Sequence, residues 1–304
     1  MQNISWLGAP VSDFSQQITS GLLGHAYLVG VHKGYGGEEL TLALAKAALC
    51  QSPSELGACG FCKACQLLDG NTHPDLYRII ADGNQIKVDQ IRELCQKLTM
   101  TSQQGGRRVA VIYHSEKLNQ ASANALLKTL EEPGKETLLL LQSDTPARLM
   151  ATIKSRCLRV HFETPSMEEI KVWLSKESDS ATDVTWCLPV MGGPLELALA
   201  LESERYKQLL QFRKDWAQSL SSGHLCASLI SVNEKQASDA LKVLYLILRQ
   251  KLVRQTDLDA LLRVKITEFG MKVMDTYHKL SVMPNVNYLA LFNGFILEYN
   301  KLTR

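Results

Sequence analysis

Excess charge of one sign is nearly missing: 33 Lys and Arg stand against 31 Asp and Glu, for a formal net charge of +2. A chain so balanced does not hold nucleic acid by its own field, because non-specific affinity grows with each phosphate neutralised. No run of about 18 apolar residues occurs, which argues against a membrane span. The opening residues, MQNISWLGAP, lack a basic stretch followed by an apolar core, so no secretory signal is read. Low-complexity tracts and internal repeats of 20–50 residues are absent too. Eight cysteines are present, four within residues 50–65 and four scattered singly. That distribution suits a metal site in a reducing compartment rather than a secreted disulfide framework. The expectation is a soluble, cytoplasmic protein.

A second lack is chemical. The stretch GVHKGYGGEEL (30–40) follows an apolar AYLV and precedes a helix-forming LTLALAKAALC. Strand, glycine loop and helix make the setting of a P-loop, which closes with Gly-Lys-Ser/Thr to reach phosphate and Mg²⁺. In the best register Gly34 and Gly36 fall on glycine positions, Gly37 replaces the lysine and Glu38 the hydroxyl. Glu38 and Glu39 in the first helical turn satisfy the helix dipole and repel a triphosphate. The strand RVAVIY should end in Asp-Glu in an ATPase, yet Tyr113 and His114 stand there. No ATP is expected on this chain.

Strands are predicted at 26–30, 76–80, 108–113, 137–142 and 158–162, each rich in Val, Leu and Ile and expected to be covered on both faces. Between them run helices, one striped by Val88, Ile91, Leu94, Cys95 and Leu98, another by Ala123, Leu126, Leu127 and Leu130 and stopped at Pro133-Gly134. Alternation of this kind predicts a parallel sheet in an α/β layer fold. After Pro165 a capping box, Ser166 with Glu169, opens a helix. Another helix follows the GGP at 192–194, and from residue 204 the chain reads as helices near 204–220, 236–254, 257–281 and 285–302. The organisation predicted is an α/β domain over 1–164, a small helical domain over 165–203 and a helical domain over 204–304.

Cys50, Cys59, Cys62 and Cys65 form C-x8-C-x2-C-x2-C. Four thiolates at such spacing match tetrahedral Zn²⁺, and four protein ligands leave no position for a catalytic water, so the zinc is structural. His73, in THPDLY, reads as a residue that fixes a turn or an interface. GGRR at 105–108 reads as a short basic turn.

Two further segments, SANALLKTLEEPG (122–134) and SRC (155–157), complete a pattern. In the order GHAYLV, four-cysteine module, HPD, NALLKTLEEP and SRC, the chain resembles the delta-prime subunits of the bacterial DNA polymerase III clamp loader, a family of AAA+ type. The motor subunits share the cysteine module, LLKTLEEP and SRC. They keep an intact Lys-Thr loop, an Asp-Glu strand end and a second-sensor arginine near the position of Leu195, all missing here. The resemblance implies a five-stranded AAA+ sheet with a zinc module, a small helical lid and an all-helical collar. It implies a non-ATPase part of the polymerase holoenzyme that assembles with motor and clamp-opening subunits to load the sliding clamp on primer-template DNA. It also implies that Arg156, with Ser155 and Cys157 as its motif, acts in trans as an arginine finger on a neighbour's ATP. Lys154 and Arg159 would support the positive field there. Lys128, Glu131 and Glu132 stay open between solvated and interfacial roles. The rival readings are an ATP-hydrolysing motor subunit and a zinc-dependent nucleic-acid-binding module.

Overall fold

The computed structural model describes residues 4–177, 184–255, 259–280 and 286–303. They fall into two compact units, Met1–Trp173 and Leu174–Arg304. The first unit contains helix α1 (Gly8–Thr19), β1 (Ala26–Val29), α2 (Gly37–Leu49), α3 (Lys63–Asp69), β2 (Leu76–Ile79), α4 (Val88–Thr99), β3 (Arg108–Ile112), α5 (Gln120–Glu131), β4 (Thr137–Gln142), α6 (Ala151–Lys154) and β5 (Leu158–Arg159). All sheet pairings are parallel, in the order β2-β3-β4-β1-β5, so the chain crosses over helices as parallel strands require.

The central strands β1, β3 and β4 are buried throughout, which is why they read as apolar runs, with polar residues only at the ends of β3 and β4. Ile91, Leu94 and Leu98 of α4 and Leu126 and Leu130 of α5 pack on one face of the sheet with Leu139, Leu141 and Ile112. Full burial of each such side chain stabilises the fold by about 1.5–3 kcal/mol.

Three expectations need correction. The strand predicted over 158–162 is only Leu158–Arg159, both exposed, because it lies at the sheet edge and pairs with β1 alone. Val160 N still donates to Leu28 O at 3.0 Å before the chain leaves the sheet. The other edge strand, β2, is only partly covered. The basic turn GGRR is half interior: Arg108 is buried, donating to the carbonyls of Leu98 (2.5 Å), Met100 and Lys135, and so ties the end of α4 to the start of β4.

Helix α7 (Met167–Glu177) opens on the expected capping box, with Glu169 accepting from Ser166 N at 2.7 Å and Ser166 Oγ from Glu169 N at 3.2 Å. In the second unit follow α8 (Leu188–Met191), α9 (Pro194–Leu201), α10 (Glu204–Ser222), α11 (Ala227–Ile230), α12 (Glu234–Arg254), α13 (Ala260–Leu280) and α14 (Tyr288–Thr303). Their core is aromatic. Trp216 meets Phe292 edge to face at 5.1 Å and donates from Nε1 to Ala240 O at 2.9 Å, while Phe269 packs on Phe295. Among the described residues no helix is long and apolar enough to cross a membrane.

Candidate functional site

The loop after β1 sits at the carboxyl end of the sheet where open α/β folds place their ligands. Here it is folded onto itself. Lys33 N donates to Asp144 Oδ1 (2.8 Å) and Gly34 N to His32 Nδ1 (3.1 Å). Tyr35 N and Gly37 N donate to His32 O, and Gly36 N to Lys33 O. These successive N–H groups are the kind that cradle phosphate in a working loop, and each already has a protein acceptor. Gly36 takes φ +90°, in the left-handed region that favours glycine. A Cβ on Gly37 would lie 1.8 Å from Val31 O, so no side chain, lysine included, fits this backbone.

Beside the loop, His114 stands in the left-handed conformation (φ 50°), its N–H bonded to Gln142 Oε1. Its Nε2 lies 3.2 Å from Glu38 Oε1, and its Nδ1 lies 3.5 Å from Asp144 Oδ2 and 3.7 Å from Glu116 Oε1. The positions of the P-loop hydroxyl and the second strand-end acid are therefore joined to each other. Ser143 Oγ holds Glu116 Oε2 and Gln142 Nε2 holds Asp144 Oδ1, so both carboxylates have protein donors as well. The Glu38–His114 pair and the part of Asp144 escaped the sequence reading, since the partners lie far apart in the chain.

The four cysteines converge at the far end of α2. Their Sγ atoms all lie within 4.8 Å of one another, with Cys50–Cys62 and Cys59–Cys65 at 3.9 Å and Cys65–Cys50 at 3.7 Å. A tetrahedral Zn²⁺ with Zn–S near 2.3 Å requires S···S of about 3.8 Å, so the set fits that ion. Backbone N–H groups of Ser52 and Cys59 point at Cys50 Sγ, and that of Cys65 at Cys62 Sγ. Burial pushes the Cys62 thiol up, but backbone N–H groups of Cys65 and Gln51 and the thiols of Cys65 and Cys59 outweigh it and bring the group to about 6. Burial pushes Cys50 up and Cys65 up to about 12. Four sulfurs this close do not ionise together unaided, whereas a bound cation deprotonates coordinating thiols outright.

His73 is buried and accepts from Asp75 N through Nδ1 (3.2 Å). Asp75, also buried, accepts from Gln103 N and Gln104 N (2.8 and 2.9 Å), so the HPD segment anchors the loop after α4.

Arg156 lies in the turn between α6 and β5, half-exposed. Its Nε and Nη2 both donate to Glu131 Oε1, at 2.8 and 2.5 Å, and its Nη1 to Thr152 O and Ser155 Oγ at 2.9 and 3.3 Å. Cys157 packs against the core, and burial raises its thiol to about 11, which makes it a packing residue rather than a nucleophile. Lys154 and Arg159 line a cavity with Leu28, Gly30 and Pro146. Lys128 and Glu132 are exposed.

Residues 8–166 match the family model described as DNA polymerase III, delta subunit. The chain is 36% identical over 250 residues to DNA polymerase III subunit delta' of Escherichia coli K12, covering 80% of this chain and 75% of that protein. The chain belongs to the delta-prime family of DNA polymerase III. That makes it a non-motor component of the clamp loader, in keeping with the closed loop. A delta' subunit of Pseudomonas aeruginosa is 44% identical over 154 residues, covering 50% of this chain and 47% of that one. The fold is shared with a gamma subunit-related protein of Thermotoga maritima, at a TM-score of 0.53 and 18% identity, over 97% of this chain and all of that one.

Proposed function

We propose that this delta-prime chain is the fixed end of the clamp-loader arc. It binds no ATP of its own, holds one structural Zn²⁺ through Cys50, Cys59, Cys62 and Cys65, and offers Arg156 in trans to the ATP site of an adjoining motor subunit. In this reading its other neighbour is the clamp-opening subunit, and it meets the sliding clamp and primer-template DNA through the complex. Residues 165–203 would serve as lid and 204–304 as collar. The observation that carries the reading is the loop: its N–H groups are bonded within the chain and its lysine position is shut by Val31 O. A subunit that keeps the sheet of an ATPase without its phosphate site contributes to ATP chemistry only from outside, and Arg156 is a planar, permanently charged fork at the sheet edge.

The test is single-turnover ATP hydrolysis and clamp loading by complexes reconstituted with Arg156→Ala or Arg156→Lys. A finger is worth about 10³–10⁵ in rate at its own site in well-studied GTPases, and total turnover falls less because other sites continue. Both variants are expected to assemble normally, retain their metal and slow hydrolysis at the adjoining site, the lysine restoring little. Wild-type rates in an assembled Arg156→Ala complex would remove the trans role.

A further inference from the structure

We propose that Glu131 is the positioning residue for Arg156, holding the guanidinium in one orientation before a neighbour's nucleotide arrives. The inference rests on the trans role of Arg156 given above. The guanidinium has five N–H groups. Those on Nε and Nη2 that reach Glu131 converge on one oxygen, Oε1, and the two on Nη1 reach Thr152 O and Ser155 Oγ, which leaves one Nη2 hydrogen. The side chain is thus fixed at three points by α5, α6 and the turn after α6, where an unsupported arginine would sample many rotamers.

Glu131 is the last residue of α5. The negative end of the helix dipole disfavours a carboxylate there, so helix stability does not account for it, and the Arg156 cation does. Side-chain exposures of 34% for Arg156 and 50% for Glu131 keep the pair in a high dielectric, where ion pairs are weak and exchange readily. A phosphoryl group can therefore take the outer nitrogens while Nε stays on Glu131. Ordering one long side chain in advance is worth about two- to tenfold. Because a single oxygen accepts both bonds, the carbonyl oxygen of glutamine can do the same work, and alanine cannot.

The experiment is single-turnover ATP hydrolysis by the full reconstituted complex carrying Glu131→Ala, Glu131→Gln, Arg156→Ala or the Glu131→Ala/Arg156→Ala pair, with assembly and the KM for ATP measured alongside. Positioning requires that Glu131→Ala slow hydrolysis about two- to tenfold with assembly and KM unchanged. It further requires that Glu131→Gln stay near wild type and that the pair match Arg156→Ala alone. Normal or faster hydrolysis by Glu131→Ala beside a slowed Arg156→Ala overturns the positioning role and leaves the finger standing; the faster result would mark Glu131 as a mask. Additive losses in the pair, a weakened assembly, or a glutamine as slow as alanine also overturn it. A silent Arg156→Ala removes the finger and this inference together.

Discussion

Helix α2 ends in two different states. At its N-terminus the phosphate loop has closed on itself, each N–H of residues 33–37 bonded within the chain. At its C-terminus four thiols face one another at distances that suit a tetrahedral cation. The helix dipole favours anions at the first end and cations at the second, yet the first carries Glu38 and Glu39, leaving no call for an anionic ligand. The difference lies in where the polar groups find partners. Backbone donors are satisfied by a rearranged turn, whereas four crowded thiols are satisfied best by a shared cation, the ligand proposed at that end.

The largest effect expected in breaking this contrast is at the thiol end. Cys62→Ser is expected to lose the metal and destabilise the 50–69 segment by more than about 4 kcal/mol, the scale of a lost metal site. Elemental analysis and amide exchange read both; full metal content in the variant would refute the ligand set. A smaller loss is expected at the loop end. Gly37→Lys, which restores the lysine of a working loop, is expected to cost about 2–4 kcal/mol through the clash with Val31 O and to gain no heat on titration with Mg-ATP. A stable variant that binds ATP would show that the closed loop is not what excludes nucleotide.

The smallest effect concerns His73, downstream of the cysteines. Burial holds its imidazole below the ordinary value, with Asp75 opposing in part. The unfolded chain therefore binds the extra proton first, and this contribution to stability is whole above about pH 6.5 and lost as pH falls toward the folded value. Denaturant midpoints across pH 7 to 5 should fall for wild type and fall less for His73→Asn. Equal slopes would assign the trend to other groups.

Much of this was legible in the sequence. β3 and β4 announce themselves because both faces are covered and their inner positions, 109–112 and 138–141, are all apolar; the cysteine set does so because its spacing is local. The place of β5 was legible too but its length was not: the apolar-alternating LRVHF reads as five residues, and only Leu158 and Arg159 pair, because an edge strand has a single neighbour. One-turn helices such as α8 and α11 are set by packing rather than by periodicity. The partners of Arg156 and His114 were out of reach for another reason. Glu131 is 25 residues from Arg156, and only the return of the chain through β4 and α6 brings them together.

The contact between Gly37 and Val31 O also bears on what mutation can undo. A working phosphate site here needs a lysine, a hydroxyl, two acids and a reopened turn. The lysine has no room until the turn opens, and the turn has no reason to open while Lys33 N and Gly34 N bond to Asp144 and His32. The step that restores the lysine thus leads through a less stable fold unless the turn opens with it, which makes the loop a ratchet in sequence space.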